Sequence, residues 1–309
     1  MLNGIKSKYI IFQIFNILEE KRILQLIRHN KYLQNLTGTS IDNYKTFLNI
    51  EIELIPKEKV LEGDIFINYI DKPSYFHIFF NDNEKEEKIN YITKKQKIER
   101  IRIILDNKIK LLRGLFKECK CLKEIYFTKF NRKDINDFGE LFEDCSSLIK
   151  LDISKLRTDN AKKMDWMFYK CINLKELNIE NLKTDNVIDM TAMFKHCELI
   201  KELNLSNFNT SNVVDMKGMF FKCLSLETLD LNHFNTTNVT DMRWMFDGCS
   251  SLRNLYINNF DTTKVIDMRW MFEGCSSLNN LDTTSNIFNG DIDMESFPIY
   301  YPQEIKIKQ

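Results

Sequence analysis

The chain has 309 residues with 44 basic and 44 acidic side chains, so its formal charge is zero, and 43% of its residues are hydrophobic. That balance supplies no global field for nucleic acid or an anionic membrane, and eight cysteines are too dilute for a small disulfide-stapled scaffold. Nine glycines and four prolines are too few for a sandwich of many short hairpins or for a disordered polymer.

Residues 1–49 predict helices. Ile11, Ile14, Phe15 and Leu18 share one face of a candidate amphipathic helix, and Ile23, Leu24, Leu26 and Ile27 share that of a second, after the charged break Glu19-Glu20-Lys21-Arg22. A signal peptide is disfavoured, because Gln13 and Asn16 interrupt the apolar run and no small-residue cleavage site follows. The run from Phe12 to Leu26 resembles the core of an F-box. The resemblance implies that Phe12, Ile14, Phe15, Leu18, Ile23 and Leu24 bind a Skp-type adaptor, so that the rest of the chain would present substrates to a cullin-type ubiquitin ligase. A helical cap buried against the following domain accounts for the same spacing.

Residues 50–97 predict a small β-rich region. Ile50, Ile52 and Leu54, then Ile65, Ile67 and Tyr69, then Tyr75, His77 and Phe79 alternate with polar residues, and Asn81 to Lys88 reads as a hairpin tip. Asp82 and Glu84 lack the central glycine and terminal glutamate of a calcium loop. Ile101 to Leu105 reads as the first strand of the domain that follows.

Residues 98–284 are periodic. Cys119, Cys145, Cys171, Cys197, Cys223, Cys249 and Cys275 recur every 26 residues without insertion or deletion, and a phenylalanine stands three residues before each, from Phe116 to Phe272. Ten of the twelve methionines lie four or seven residues before a cysteine. Met190, Met193, Phe194, Cys197 and Ile200 have the spacing of one helix face, and Leu203 and Leu205 flank polar Asn204 as in a short strand. Each unit therefore predicts strand, turn and short helix, with Asn212 and Asp215 placed as a capping box. One unit cannot bury its own apolar face, so the units stack into an α/β solenoid: short parallel strands ~4.8 Å apart with short helices on the other side.

The pattern Cys-x2-Leu-x2-Leu-x-Leu/Ile-x2-Phe, then Thr-x-Asn-Val-x-Asp-Met-x2-Met-Phe-x2-Cys, is best kept from Met164 to Leu281. It resembles the BspA-like leucine-rich repeat family of bacterial surface lipoproteins, including those of mycoplasmas, and of protist and giant-virus proteins. The resemblance implies a leucine-rich repeat fold that recognises other macromolecules and carries no catalytic residue. The cysteines sit in one apolar phase and read as buried free thiols, which fits a reducing compartment. Cys119 and Cys121 form a lone C-x-C and the four histidines are scattered, so neither zinc nor another cofactor is expected. These features point to a cytoplasmic monomer with protein partners (in the host cytoplasm if viral), with the cell surface as the alternative. No stretch is long and apolar enough for a membrane span.

Candidate contact residues flank the inward leucines: Glu124, Lys150, Glu176, Glu202, Thr228 and Asn254 in one row, Tyr126, Asp152, Asn178, Asn204, Asp230 and Tyr256 in the other. In a leucine-rich repeat these rows face the concave side. Trp166, Trp244 and Trp270 share a slot held elsewhere by Gly114, Glu140, Ala192 and Gly218, and with Arg243 and Arg269 they form a candidate patch on the helix side. Residues 285–309 read as a C-terminal cap.

Overall fold

The structure is a computed structural model that describes residues 30–37, 45–81, 83–93, 97–278 and 280–282, and single positions 10, 13, 14, 18 and 26. Of the expected adaptor-binding side chains, Phe12, Phe15, Ile23 and Leu24 lie outside the described residues, as does the expected cap 285–309. Ile14 and Leu18 are half-buried and joined by a helical-type bond from the Leu18 N–H to the Ile14 carbonyl at 3.1 Å.

Helix α1 (Lys31–Thr37) is capped by Asn30, whose Oδ1 accepts the Leu33 N–H at 3.1 Å, and it buries Leu33. Strand β1 (Ile50–Pro56) buries Ile50, Ile52 and Leu54 through its alternating sequence. Strands β2 (Phe76–Phe80) and β3 (Glu86–Glu87) form the expected hairpin, but Phe76, Ile78 and Phe80 face the core, one residue out of phase with the expected Tyr75, His77 and Phe79. The expected strand at Ile65 to Tyr69 is reduced to a single bridge from Ile65 to Tyr91.

Strand β4 (Ile101–Leu105) lies antiparallel between β2 and β1, and β1 in turn pairs antiparallel with β5 (Leu122–Lys129). Ile101 to Leu105 is therefore not the first repeat strand; that place belongs to β5, with β1 laid along its outer edge. From β5 the direction changes. Strands β6 (Lys150–Asp152) and β7 (Glu176–Asn178) follow in parallel at the 26-residue register, completing a seven-stranded sheet of order β3-β2-β4-β1-β5-β6-β7. Strands β8 (Thr228–Asp230), β9 (Asn254–Tyr256) and β10 (Asn280–Asp282) form a second, three-stranded parallel sheet. The equivalent segment between the two sheets, Glu202 to Asn204, is not paired as a strand.

Opposite the strands, the expected short helices are absent from the described repeats; the Met-Met-Phe-Cys segments are turns. Alternate N–H groups there point in different directions. Those of Ala192, Phe194 and His196 donate to Lys217, Met219 and Phe221 of the next repeat at 2.8–2.9 Å. Those of Met193, Lys195 and Cys197 close tight turns onto Met190, Ala192 and Phe194 at 3.0–3.2 Å. A helix would keep all these bonds within its own segment. Two positions per segment have φ between +52° and +73°: the slot of Gly114, Glu140, Trp166, Ala192, Gly218, Trp244 and Trp270, and that of Glu118, Asp144, Lys170, His196, Lys222, Gly248 and Gly274.

The buried columns run unbroken past the interruption in the strands. Successive phenylalanine rings from Phe116 to Phe272 stack at 5.2–5.8 Å and within 14° of parallel. Each cysteine does more than fill space: Cys197 Sγ donates to the Phe168 carbonyl of the preceding repeat at 3.2 Å, and Cys145, Cys171, Cys223, Cys249 and Cys275 repeat the bond at 2.9–3.2 Å. That carbonyl also accepts the Cys171 N–H at 3.1 Å, so both its lone pairs are used inside a dry core. The buried threonine column works similarly. Thr210 Oγ1 donates to the Asn235 carbonyl at 2.9 Å and accepts the Asn235 N–H at 2.8 Å. Asn212 Nδ2 donates to the Asp185 carbonyl one repeat back at 2.7 Å, which replaces the expected capping box because no helix follows to be capped.

Two substitutions test these devices by thermal or urea unfolding. Thr210→Val keeps the shape but strands both Asn235 backbone groups, and is expected to cost about 1–3 kcal/mol. Lys222→Gly relieves a left-handed backbone at φ +56° and is expected to gain about 1 kcal/mol.

Candidate functional site

The two rows beside the buried strand leucines lie on one face, as their pairing shows: Glu124 opposite Lys150, Lys150 opposite Glu176, and Tyr126 opposite Asp152. Lys150 Nζ reaches Glu176 Oε2 at 3.1 Å and sits 6.0 Å from the Tyr126 ring, while the Tyr126 hydroxyl donates to Glu124 at 2.5 Å. Much of the second row is engaged locally. Asp152, Asn178, Asn204 and Asp230 each accept the N–H two residues on, at 2.9–3.3 Å, and so turn the chain out of the strand position. Glu202, Thr228 and Tyr256 are exposed, and Asn254 Nδ2 approaches Thr228 Oγ1 at 3.4 Å.

The opposite surface is formed by the turn segments. Trp244 and Trp270 stack at 5.4 Å and 7°, with Lys217 lying 5.1 Å over Trp244, Arg243 5.6 Å over Trp244 and Arg269 5.1 Å over Trp270. Arg243 also pairs with Asp241, and Arg269 with Asp267 at 2.6 Å. Trp166 packs edge-on against Tyr169 at 4.6 Å. The expected patch of Trp166, Arg243, Trp244, Arg269 and Trp270 is thus assembled along one surface, in two groups separated by the Ala192 and Gly218 repeats. Sequence reasoning missed the residues between them: Tyr169, His196 and Phe221 form an edge-to-face row at 6.1 and 5.4 Å, with Lys170, Lys195 and Lys222 beside it. The signal was their place in the repeat, with Tyr169 and Phe221 two residues before a cysteine and His196 one residue before, three or four residues after the tryptophan slot.

Toward the N-terminal end the same surface is saturated with ion pairs. Arg113 reaches Asp137 at 3.0 Å, Glu140 at 2.8 Å and Asp165 at 2.5 Å, which raises its pKa, and Lys117 reaches Glu140 at 2.7 Å and Glu143 at 3.0 Å. At the other end, burial and then the charge of Glu273 push the Asp247 carboxyl up to about 6, against Lys222 and Lys195.

The cysteines are chemically quiet. Burial pushes Cys145, Cys197 and Cys249 well above the ordinary thiol range, and Cys223 and Cys275 up to about 12, so none is a thiolate near neutral pH. No group of three or more His, Cys, Asp and Glu side chains that could hold a metal ion occurs among the described residues. An open cleft of about 520 Å³ lies where residues 63–68 meet the first repeat, beside Asn68, Gly114, Lys117 and Lys120. No helix among the described residues is long and apolar enough to cross a membrane.

A thiol-specific chromogenic reagent is expected to leave the protein's eight cysteines unreacted in the native state and to titrate all of them after denaturation. For Asp247 the folded pKa lies above the unfolded one, so folding retains a proton between roughly pH 4 and 6 and stability falls as pH rises through that window. Asp247→Asn is therefore expected to melt higher than the native chain near pH ~7.5 and with it below pH ~4.

Searches of curated proteins and of solved structures find no significant match. A family model does match, over residues 89–203 and again over the overlapping stretch 163–286, as a repeated sequence should. Those stretches cover well over half of the protein, which belongs to the family described as Mycoplasma protein of unknown function, DUF285, also known as the BspA-like repeat region.

Proposed function

We propose that this protein is a non-enzymatic recognition scaffold: a leucine-rich repeat solenoid, capped at its N-terminal end by strands β1 to β4, that holds a protein partner on its turn-side surface. The observation that carries the reading is the tryptophan slot. Trp166, Trp244 and Trp270 hold φ between +55° and +59°, a conformation costing a non-glycine residue roughly 1–2 kcal/mol, while Gly114 and Gly218 fill the same slot without that cost. Folding does not require a tryptophan there. The rings are half-buried to exposed, with Trp270 at 39%, so the strained positions carry large, rigid, partly wet aromatic groups of the kind that anchor protein interfaces. The strand-face rows remain a narrower second surface, because local turns already engage much of one row.

The fuller form of the proposal adds coupling to a ubiquitin ligase through a Skp-type adaptor at Phe12, Ile14, Phe15, Leu18, Ile23 and Leu24, in the cytoplasm and as a monomer. It rests on sequence pattern alone. The alternative is an exported surface binder, in keeping with the repeat family. Adaptor co-purification that is lost on removing residues 1–40 supports the first; fully oxidised cysteines in protein from the native source support the second.

The scaffold reading is tested with Trp244→Gly/Trp270→Gly. Relief of the left-handed backbone offsets the lost ring stacking, so stability is expected to stay within about 1 kcal/mol of the native chain. Partners captured and cross-linked from the native source are expected to be lost. Partners retained by this variant but lost from Tyr126→Ala/Lys150→Glu would move the site to the strand face and overturn the assignment.

A further inference from the structure

The middle of the turn-side surface carries cations that its carboxylates do not neutralise. Lys170, Lys195, Lys217 and Lys222 come from three successive repeats, and each lies over a ring: Lys170 5.1 Å from Tyr169, Lys195 4.2 Å and Lys222 5.3 Å from Phe221, and Lys217 5.1 Å from Trp244. No ion pair is found for any of the four among the described residues. Lysines nearer the N-terminus in the same turn segments do pair: Lys117 with Glu140 and Glu143, and Lys120 with Asp144 at 2.5 Å. Burial holds the Lys195 ammonium below its ordinary pKa, and the like charges of Lys217, Lys222 and Lys170 add to the effect while Asp247 opposes it. Lys170 and Lys222 moreover hold φ of +58° and +56° in a slot that Gly248 and Gly274 fill in later repeats. The chain therefore holds four like charges together, two of them, Lys170 and Lys222, at left-handed positions that other repeats fill with glycine, glutamate, aspartate or histidine.

We propose that the cluster is the docking site for an acidic, extended segment of the protein partner, whose carboxylates bridge the four ammonium groups. The proposal rests on the scaffold reading above and names the partner chemistry of the same surface. Charge complementarity carries it, because an anionic segment removes the mutual repulsion, and side chains already held against rings lose less freedom on binding. With adjacent repeats 5.2–5.8 Å apart at the phenylalanine column, Lys170 and Lys222 are separated by ~11 Å along the stack, which three to four extended residues span at ~3.3 Å each. A nucleic acid fits less well. Base stacking needs an open ring face, whereas Trp244 is covered by Lys217 and Trp270, and Phe221 by Lys195 and Lys222.

The test uses the full chain and a fluorescently labelled hexaglutamate peptide, read by anisotropy at low and physiological salt. Saturable binding that weakens with salt is expected, falling about tenfold or more in Lys170→Gln/Lys195→Gln/Lys217→Gln/Lys222→Gln and unchanged in the control Lys175→Gln/Lys201→Gln, which replaces two exposed lysines that immediately precede Glu176 and Glu202 of the strand-face row. Thermal melting shows whether the quadruple variant is folded, and the single Lys195→Gln and Lys217→Gln variants, each expected to weaken binding severalfold, keep the test open if it is not. No binding of hexaglutamate, equal binding of hexaglutamine, equal loss in the control, or tighter binding of oligothymidylate or polyphosphate would each overturn the proposal. If hexaglutamate fails while capture of native partners still depends on Trp244 and Trp270, only the acidic chemistry falls and the scaffold reading stands.

Discussion

The hydrogen bonding between successive repeats is the constraint on which the rest of the molecule depends. On the turn side alternate N–H groups leave their own repeat and reach the carbonyl 25 residues on, as from Trp244 to Arg269 at 3.1 Å, while the strands pair in register at 26. Both spacings are fixed by one repeat length. An insertion in any unit would misalign the backbone ladder, the phenylalanine column, the cysteine bonds and the threonine relays together, and each misaligned polar group would be left in a dry core. That shared dependence is a physical reason for seven cysteines to recur at an unvaried interval.

The first repeat cannot obtain its outer partner from a repeat before it. Strand β1 supplies one by pairing antiparallel along β5, and β4, β2 and β3 continue the sheet away from the stack. A parallel edge that would otherwise invite pairing with another chain is thereby closed with hydrophobic residues from a different part of the sequence. In the core, by contrast, each repeat can serve as the partner of the next, and little variation is tolerated: Met193, Met219 and Met245, like Phe194, Phe220 and Phe246, are fully buried.

Variation is concentrated where the ladder does not restrict it. The two left-handed positions of each turn segment project side chains while their backbone bonds continue, so glutamate, tryptophan, lysine, histidine and glycine can alternate there without changing the stack. The result is a graded surface. Ion pairs around Arg113 close one end, bare lysines against aromatic rings occupy the middle, and stacked tryptophans flanked by paired arginines follow. A rigid core with a variable surface divides the work of folding from that of recognition among different residues of the same repeat.

The period, the identity of the buried columns and the parallel register were legible in the sequence, because a fixed repeat places chemically equivalent residues in equivalent environments. The conformation between the columns was not. Met190, Met193, Phe194 and Cys197 satisfy the spacing of a helix face, yet overlapping tight turns present the same residues inward, and side-chain spacing does not encode the sign of φ. The threonine and asparagine bonds were hidden for a related reason: their partners lie 25 and 27 residues away, and are neighbours only once the repeats are stacked. The same holds for charge. The sequence balances 44 basic against 44 acidic groups, but which lysines meet a carboxylate and which meet a ring is decided by side chains brought together across repeats about 5 Å apart.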